Sequence, residues 1–341
     1  MKMSQLGEQG FLKEIERFIC RSDVSFLELG FGDDAAIIKS ARGSGRIVVT
    51  TDMLIEGVHF SKDLLSFHNL GRKSYEVNAS DLAAMGAWPV LAFLSLGLPP
   101  ETPVNSVKDF YKGFCAGARR HHCRIAGGDT VRAGCWSVSV TLIGKYNKGG
   151  RPLLRSGARQ GDYVYITGWP GESGLGLRLL QKGKRKSRGK DSHRLIMRHN
   201  QPRARILEAI TLARSCKTGA AIDVSDGVMH ELRIISRLSE VKILIDITRL
   251  PISLTLKSES ARLGIDPLDM VLYGGEDYEL LFTTSLPLEK VRERLKKAGS
   301  RVPVHEIGRV ERGSGIEFFD YEGRLVPFKD KTFEHFSGRS G

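Results

Sequence analysis

The chain has 341 residues, of which 41% are hydrophobic and 27% charged, and its formal net charge is +13. This length exceeds what one hydrophobic core usually serves, so two domains are expected, and the composition excludes a disordered or collagen-like chain. No apolar signal segment opens the sequence, and its longest apolar run, 90–98, is far shorter than the ~20 residues of a membrane-spanning helix. We therefore expect a cytoplasmic protein without a membrane partner.

Strands and helices alternate along the first part of the chain. The spacing of Phe11, Ile15 and Phe18 predicts an amphipathic helix over 8–20. The elements predicted after it are strands at 35–38, 47–50, 90–98, 124–126 and 137–145 and helices at 69–85 and 107–121. Their order indicates an α/β domain with a mixed sheet, which we assign to residues 1–146.

Glycine and basic residues over 147–161 interrupt this pattern, and a second series of elements follows. We assign residues 147–341 to the second domain. Its predicted elements are strands at 163–167 and near Ile222, Ile243 and Leu280 and helices at 174–181, 203–215, 228–238 and 288–298. The whole chain is thus predicted to be an α/β (α+β) protein of two domains.

Five cysteines are spread along the chain without a CxxC pair. An odd number at these spacings argues against both a zinc ribbon and a secreted disulfide framework. We expect reduced and mostly buried thiols.

Acidic residues recur beside glycine and hydroxyl residues at the ends of apolar runs. The six segments are 32–35, 50–52, 78–81, 127–130, 223–226 and 274–277. Few basic residues lie next to them in the sequence, and hard divalent cations that prefer oxygen ligands are the obvious partner for so much negative charge. A single acid of this kind is more often a turn or helix-cap residue. Six together indicate a magnesium-nucleotide site.

Two of these acids, Asp52 and Asp129, are expected to follow apolar strands and to project into a cleft, because ligands commonly bind beyond the carboxyl ends of strands. Gly127 and Gly128 are interpreted as a tight turn that brings the backbone close to a phosphate. Asp223, Ser225 and Asp226 precede the helix predicted from residue 228, whose free N–H groups suit phosphate oxygens.

Several other routes to catalysis are excluded by their missing motifs. The chain has no GxxxxGK[ST] loop, no kinase catalytic loop, no GxSxG elbow and no HExxH helix. The glycine-rich segment 168–176 imitates a dinucleotide fingerprint with imperfect spacing, so close strand-to-helix packing is the preferred interpretation. Phosphoryl transfer supported by metal ions, without a protein nucleophile, fits the remaining evidence.

Six of the nine residues in 182–190 are basic. A solvated loop is the preferred interpretation, and nonspecific contact with RNA or another polyanion is the alternative. No aromatic residues are interleaved with these charges, so a nucleic-acid partner is not expected.

Seven ordered motifs give the chain a resemblance to the thiamine-monophosphate kinases, a family within the aminoimidazole ribonucleotide synthetase-like superfamily. The motifs are GDDAA at 32–36, TTDMLIEGVHF at 50–60, VNASDLAAMGAWP at 77–89, GGDT at 127–130, RSGARQGDYVYITG at 155–168, DVSDG at 223–227 and GGEDYEL at 274–280. The resemblance implies ATP-dependent phosphorylation of thiamine monophosphate to thiamine diphosphate, the final step of that cofactor's biosynthesis. It further implies direct in-line transfer with several Mg²⁺ ions, a homodimer that pairs the N-terminal sheets, and a C-terminal α/β sandwich.

The same resemblance implies a role for particular residues. The residues implied to bind metal, directly or through water, are Asp34, Thr50, Thr51, Asp52, Asp81, Asp129, Asp223 and Asp226. Arg155 and Ser225 are implied to contact ATP, and His59, Glu276 and Phe333 the thiamine phosphate. Tyr111, in the predicted helix 107–121, is a candidate for the adenine pocket, although a plain packing role fits it equally well.

Two other functions stay open on the sequence. Sister enzymes such as selenophosphate synthetase, aminoimidazole ribonucleotide synthetase or a hydrogenase maturation factor would share the metal acids. The first usually needs a reactive N-terminal cysteine or selenocysteine and the last a C-terminal cysteine, whereas Cys20 lies in a helix stripe and no cysteine follows Cys216. A polyanion-binding protein without enzymatic activity would instead show strong, salt-dependent RNA binding.

Overall fold

A computed structural model describes residues 10, 26–30, 32–39, 45–183, 189–214 and 217–328. The helix predicted over 8–20, apart from Gly10, and Phe333 lie outside these described residues.

The strands are β1 Leu27–Leu29, β2 Ala36–Lys39, β3 Arg46–Ile55, β4 Trp88–Leu98, β5 Arg124–Arg132, β6 Ser137–Lys145, β7 Tyr163–Thr167, β8 Thr218–Asp223, β9 Lys242–Asp246, β10 Leu280–Thr284, β11 Val304–Glu311 and β12 Gly315–Phe319. The helices are α1 Phe67–Ala84, α2 Val104–Arg119, α3 Glu172–Gln181, α4 Lys190–Asn200, α5 Ile206–Ala213, α6 Val228–Ser239, α7 Leu254–Leu263, α8 Pro267–Tyr273 and α9 Leu288–Lys297.

The first sheet has the strand order β1-β2-β3-β6-β4-β5, with β4 and β5 parallel and the other neighbours antiparallel. Helices α1 and α2 lie on one face, where they bury Val48, Leu94 and Val140 in a common core. The two helices approach closely because a Cβ on Gly71 or Gly113 would lie within 2 Å of a carbonyl oxygen of the other helix. The opposite face of the sheet is open and exposes both apolar and polar side chains.

The second sheet has the order β12-β9-β11-β7-β10-β8 and is covered on both faces. Alternate residues of β7 and β10 point to opposite sides, as expected for period-two strands. Tyr165 and Phe282 belong to the core shared with the first sheet, whereas Ile166 and Leu281 belong to a second core beneath α3 and α6. The predicted mixed α/β fold with two sheets is confirmed.

Two strands are longer than predicted, and this changes the position of two acids. Asp52 lies inside β3 and Asp129 inside β5, so the expectation that both follow the ends of strands was wrong. The turn expected at Gly127 and Gly128 is also absent, because β5 runs through both glycines. Gly128 is required there by close approach of β4, since an added Cβ would lie 1.8 Å from the carbonyl oxygen of Leu94.

No helix in the described part of the chain has both the length and the apolar character needed to span a membrane.

Candidate active site

Three carboxylates from distant parts of the chain meet between the two sheets. Asp34 lies just before β2, Asp81 lies in α1 and Asp223 ends β8. One oxygen from each lies within 4.8 Å of the others. Such a group of buried hard oxygen donors has the chemistry that Mg²⁺ requires.

Hydroxyl groups orient two of these carboxylates. Thr50 donates a hydrogen bond of 2.6 Å from its Oγ1 to Asp81 Oδ2, and Ser80 donates one of 2.7 Å to Asp223 Oδ2. Thr50 lies on β3, and Ser80 precedes Asp81 on α1. The hydroxyls leave the other oxygen of each acid available to a further partner.

Arg155 is the cation nearest to this group. Its guanidinium donates to Asp34 Oδ1 from Nε at 2.9 Å and also from Nη2. Its backbone N–H points to the Asp33 carboxylate, which also accepts the N–H of Asp34 at 2.9 Å. Asp34 Oδ2 is buried, and no group among the described residues donates a hydrogen bond to it. A buried carboxylate oxygen without a donor is suited to a bound cation.

Burial and mutual repulsion raise the pKa values of these acids. Burial is the main cause for Asp34, whose pKa is raised to about 7, and for Asp52 and Asp223, whose pKa values are raised to about 6. The pKa of Asp81 is raised well above its ordinary value by burial and then by Asp52 and Asp223. Bound divalent cations would stabilise the ionised carboxylates against burial and mutual repulsion. The donor set therefore fits divalent cations.

Asp226 and Ser225 lie in the loop before α6. Their loop is held by Glu231, a buried carboxyl group in the first turn of α6, which accepts the backbone N–H of Asp226 at 3.1 Å. The charge of Asp226 raises the pKa values of both Asp52 and Asp223, so it belongs to the same group of acids. Sequence reasoning missed Glu231, although its place in the helix directly after DVSDG was a usable signal.

The predicted metal residues divide between the two faces of the first sheet. Thr50 and Asp52 face the helices, whereas Thr51 lies on the open face, where Thr141 donates a hydrogen bond of 3.0 Å to its hydroxyl. Asp129 shares that open face with Phe93, since Phe93 pairs with Gly127 and Ser95 with Asp129 across parallel strands. It lies three strands away from β3, about 14 Å along the sheet. The structure does not bring Asp129 to the other acids.

The loops 223–227 and 274–279 are joined by backbone hydrogen bonds. Glu276 N–H donates to Ser225 O at 2.6 Å, and Tyr278 N–H donates to Val224 O at 2.8 Å. Glu276 and Tyr278 have φ angles of 54° and 50°, in the left-handed region that residues other than glycine seldom adopt. The unusual backbone fixes the direction of the Glu276 side chain.

Glu276 lies against two basic side chains that sequence reasoning missed. Its Oε1 is 2.6 Å from Lys73 Nζ, and its Oε2 is 3.4 Å from His199 Nδ1. Burial opposes ionisation, but Lys73, His199 and then His59 lower the pKa of Glu276 below its ordinary value. His59 accepts the Ile55 N–H at its Nδ1, at 3.1 Å, which leaves Nε2 to carry the proton of the neutral ring. The two residues implied to bind substrate are therefore neighbours.

Tyr111 lies apart from this group. It lines an open groove of about 550 Å³ on the outer side of α2, together with Val107, Lys108 and Cys115. Phe333, the remaining residue implied to bind substrate, lies outside the described residues.

The glycine-rich segment 168–176 does not form a phosphate loop. The side-chain carboxyl group of Asp277 accepts the N–H groups of Gly171 at 2.7 Å and Ser173 at 3.1 Å, so the N-terminus of α3 is already occupied from within the chain. A Cβ on Gly176 would lie 2.2 Å from the carbonyl oxygen of Leu195 in α4. These contacts support the packing interpretation of the segment.

Two family models match the chain. The N-terminal domain of AIR synthase related protein matches residues 32–146, and the C-terminal domain of AIR synthase related protein matches residues 159–320. The fold is thus that of an AIR synthase related protein, with the N-terminal and the C-terminal domain of that class in order along the chain. The hydrogenase maturation protein HypE of E. coli shares the fold, with a TM-score of 0.65 at 18% identity.

Curated relatives narrow the class. The thiamine-monophosphate kinase of Aquifex aeolicus (strain VF5) is 35% identical over 98% of this chain and 100% of its own length. The Escherichia coli (strain K12) enzyme of that name is 35% identical over 93% of this chain and 94% of its own length. A solved structure described as AaThiL complexed with AMPPCP and TMP has a TM-score of 0.84 at 33% identity and covers 98% of this chain and 99% of that chain. The chain belongs to the thiamine-monophosphate kinase family, which confirms the resemblance found in its motifs and the prediction of an enzyme.

Proposed function

We propose that the chain transfers the γ-phosphoryl group of ATP to thiamine monophosphate and so completes the formation of thiamine diphosphate. The observation that carries this proposal is the group of buried carboxylates at Asp34, Asp81 and Asp223. Support comes from the family and from the structural neighbour whose description names an ATP analogue and TMP. The sister reactions have no comparable support, since HypE shares the fold alone.

Several Mg²⁺ ions are proposed to accompany ATP. The residues proposed to hold them are Asp34, Thr50, Thr51, Asp52, Asp81, Asp129, Asp223 and Asp226. Bound magnesium would neutralise phosphate oxygens and reduce the repulsion between two anionic substrates. The donor set supports this choice, because it consists of scattered carboxylates and hydroxyls that suit an ion which keeps several of its waters.

The chain's own side chains are proposed to position the reactants. Arg155 offers a planar, permanently charged donor group beside Asp34, and Ser225 lies where the N-terminus of α6 begins, so both are proposed to contact ATP. Tyr111 is proposed to contribute to adenine binding. His59 and Glu276 are proposed to contact the thiamine phosphate, with Phe333 packing on it.

No strong general base is needed in this mechanism. The attacking group is an ionised phosphate oxygen, so direct in-line transfer requires alignment and charge neutralisation more than proton removal. This is consistent with a site whose described side chains are mainly carboxylates and cationic donors. We therefore propose that no phosphoenzyme forms.

A homodimer that pairs the N-terminal sheets is proposed. The open face of the first sheet exposes Met53, Phe93 and Val131 with side chains 52%, 39% and 54% accessible, and β5 is exposed along its length. Apolar patches of this kind are usually covered by a partner. Pairing of this face between two copies would also enclose Thr51 and Asp129 at the interface.

Measurement of ADP release with ATP and Mg²⁺ tests the proposed reaction. Thiamine monophosphate, thiamine and no acceptor are compared, and the product is identified by mass. We expect turnover with the monophosphate alone and a product heavier by one phosphoryl group. Equal ADP release without an acceptor, or transfer to thiamine instead, would overturn the proposal.

A further inference from the structure

Lys73 is the one buried lysine among the described residues. It lies in the second turn of α1, its side chain is 1% exposed, and its Nζ forms a 2.6 Å ion pair with Glu276 Oε1. Lysine is almost never fully buried without a charged partner, because removing an ammonium group from water costs several kcal/mol. An apolar side chain in the same place would leave the Glu276 carboxylate without this cation. The charge of Lys73 therefore acts on Glu276.

Glu276 has a buried side and an open side. Lys73 and His199 contact its two oxygens from behind, with side chains 1% and 8% exposed, whereas the Glu276 side chain itself is 29% exposed. Its left-handed backbone conformation, φ 54°, holds it between these two residues. The His199 ring is held in turn, since its Nδ1 lies 3.3 Å from Ser173 Oγ. A carboxylate held in this way can accept a hydrogen bond from a ligand on its open side.

We propose that Lys73 is a positioning residue for substrate selection, which holds the Glu276 carboxylate in the direction where it accepts a hydrogen bond from the amino group on the acceptor's pyrimidine ring. This inference rests on the proposed function, since it concerns the acceptor of that reaction. Lys73 itself need not touch the substrate. Without the ammonium group Glu276 would lie in a buried environment that favours its neutral form, and a protonated carboxyl group is a poorer acceptor.

A hydrogen bond from the acceptor's amino group to Glu276 would make the protein selective for acceptors that carry this group. A site built to hydrogen-bond an amino group discriminates against an analogue with oxygen in its place, because the carboxylate then faces an oxygen acceptor instead of an N–H donor. The natural acceptor and the analogue with oxygen in place of the pyrimidine amino group should therefore differ widely in kcat/KM. That difference should depend on Lys73.

The variants Lys73→Met and Lys73→Gln test whether this selectivity depends on Lys73. In each variant we expect the KM for thiamine monophosphate to rise by about tenfold or more, which is the size of one charge-assisted hydrogen bond, while the KM for ATP stays within about twofold. The preference for thiamine monophosphate over the oxygen analogue should fall by a similar factor. Lys73→Gln keeps a polar donor of similar length, so it supplies the result if Lys73→Met does not fold.

A double-mutant cycle separates positioning from packing. In a Glu276→Gln background, Lys73→Gln should have little further effect on selectivity, because Lys73 acts through Glu276. Lys297→Met, at an exposed lysine of α9, is the matched control and should leave all constants unchanged.

Two results would overturn the inference. One is a Lys73 variant that loses kcat/KM equally with both acceptors, which would indicate a structural role. The other is a Lys73 variant that keeps the wild-type kcat/KM with both acceptors. If the wild-type protein itself fails to phosphorylate thiamine monophosphate, the proposed function fails first. A wild-type protein that is active and selective, with variants that keep its selectivity, refutes the role of Lys73 alone.

Discussion

The hydroxyl of Ser80 in α1 donates a 2.7 Å hydrogen bond to Asp223 at the end of β8, although 143 residues separate them in the chain. Ser80 belongs to the layer that covers the first sheet, and Asp223 belongs to the second sheet. The group of acids therefore exists when both halves of the chain are folded and docked. Like charges gathered at that junction oppose docking unless a cation or protons neutralise them.

Replacing one buried acid should lower the activity of the protein without lowering its stability in the absence of metal. We expect Asp223→Asn to reduce turnover by about 100-fold or more, because a charged metal ligand contributes several kcal/mol to the transition state. Without metal, the variant should be at least as stable as the wild type, since repulsion among Asp34, Asp81 and residue 223 is smaller. Thermal unfolding with and without Mg²⁺ measures this, and the Mg²⁺-dependent rise in Tm should shrink.

Asp63→Asn is a suitable control for that experiment, because Asp63 is an exposed aspartate outside the group. It should retain both turnover and the response to Mg²⁺. An Asp223→Asn protein with wild-type turnover would show that Asp223 does not bind an essential metal.

Arg155 should matter through its guanidinium shape as well as its charge. Arg155→Lys keeps the charge but not the two N–H groups that both reach Asp34 Oδ1. We expect the KM for ATP to rise by about tenfold in Arg155→Lys and further in Arg155→Met, as one or both charge-assisted contacts are lost. Steady-state kinetics against the exposed control Arg301→Met tests this. Equal ATP affinity in all three variants would contradict the assignment.

The open face of the first sheet should govern oligomeric state. Phe93→Glu places a charge in the middle of that face, so we expect a monomer with little activity, because desolvating an unpaired carboxylate in an interface is costly. Light scattering and sedimentation measure the mass. Leu254→Glu, at a side chain 86% exposed in the second half of the chain, should remain dimeric. A fully active wild-type monomer would refute the proposed dimer.

Acid should destabilise the fold through His121. Burial, with Arg120 and His122 nearby, lowers the pKa of His121 to about 4, and Tyr75 shares a 3.0 Å hydrogen bond with its Nδ1. The unfolded chain then binds the proton more tightly than the folded one, so stability is complete above about pH 6.5 and is lost as the pH falls towards 4. Linkage gives a loss of about 2 kcal/mol between pH 7 and 5 from this group.

Denaturant unfolding at several pH values checks this dependence. His121→Gln should be less stable at pH 7 yet show a smaller loss on acidification, whereas His68→Gln, at an exposed histidine, should follow the wild type. An unchanged pH slope in His121→Gln would show that other groups cause the acid sensitivity.

Secondary-structure elements were predicted well where the hydrophobic period and the length of the segment indicated the same type of element. The bounds predicted for β6 and β7 match the structure, and α1 and α6 begin within two residues of their predicted starts. The strand predicted at 124–126 is shorter than β5, because glycine and aspartate are common in turns and were interpreted as one. Pairing with β4 overrides that preference, which a single sequence does not reveal.

The acids of the site were predictable because their neighbours are unusual in the sequence, but their supporting residues were not. Lys73 and Glu231 lie on helices, where a charged residue normally faces solvent. The burial of Lys73 depends on Glu276, which lies far along the chain, whereas Glu231 contacts the loop that directly precedes its own helix. Tertiary packing decides their role.

Helix α1 carries contacts to both ends of the site, with Lys73 at Glu276 and Ser80 at Asp223. Seven residues of α-helix, two full turns, place these side chains on one face about 10 Å apart. Helix α1 therefore fixes the distance between the part of the site that would hold the acceptor ring and the part that would hold the phosphates. A single residue inserted between them would rotate one contact by about 100° away from the other. The spacing of this segment is consequently as strict a requirement as the identity of the residues that it carries.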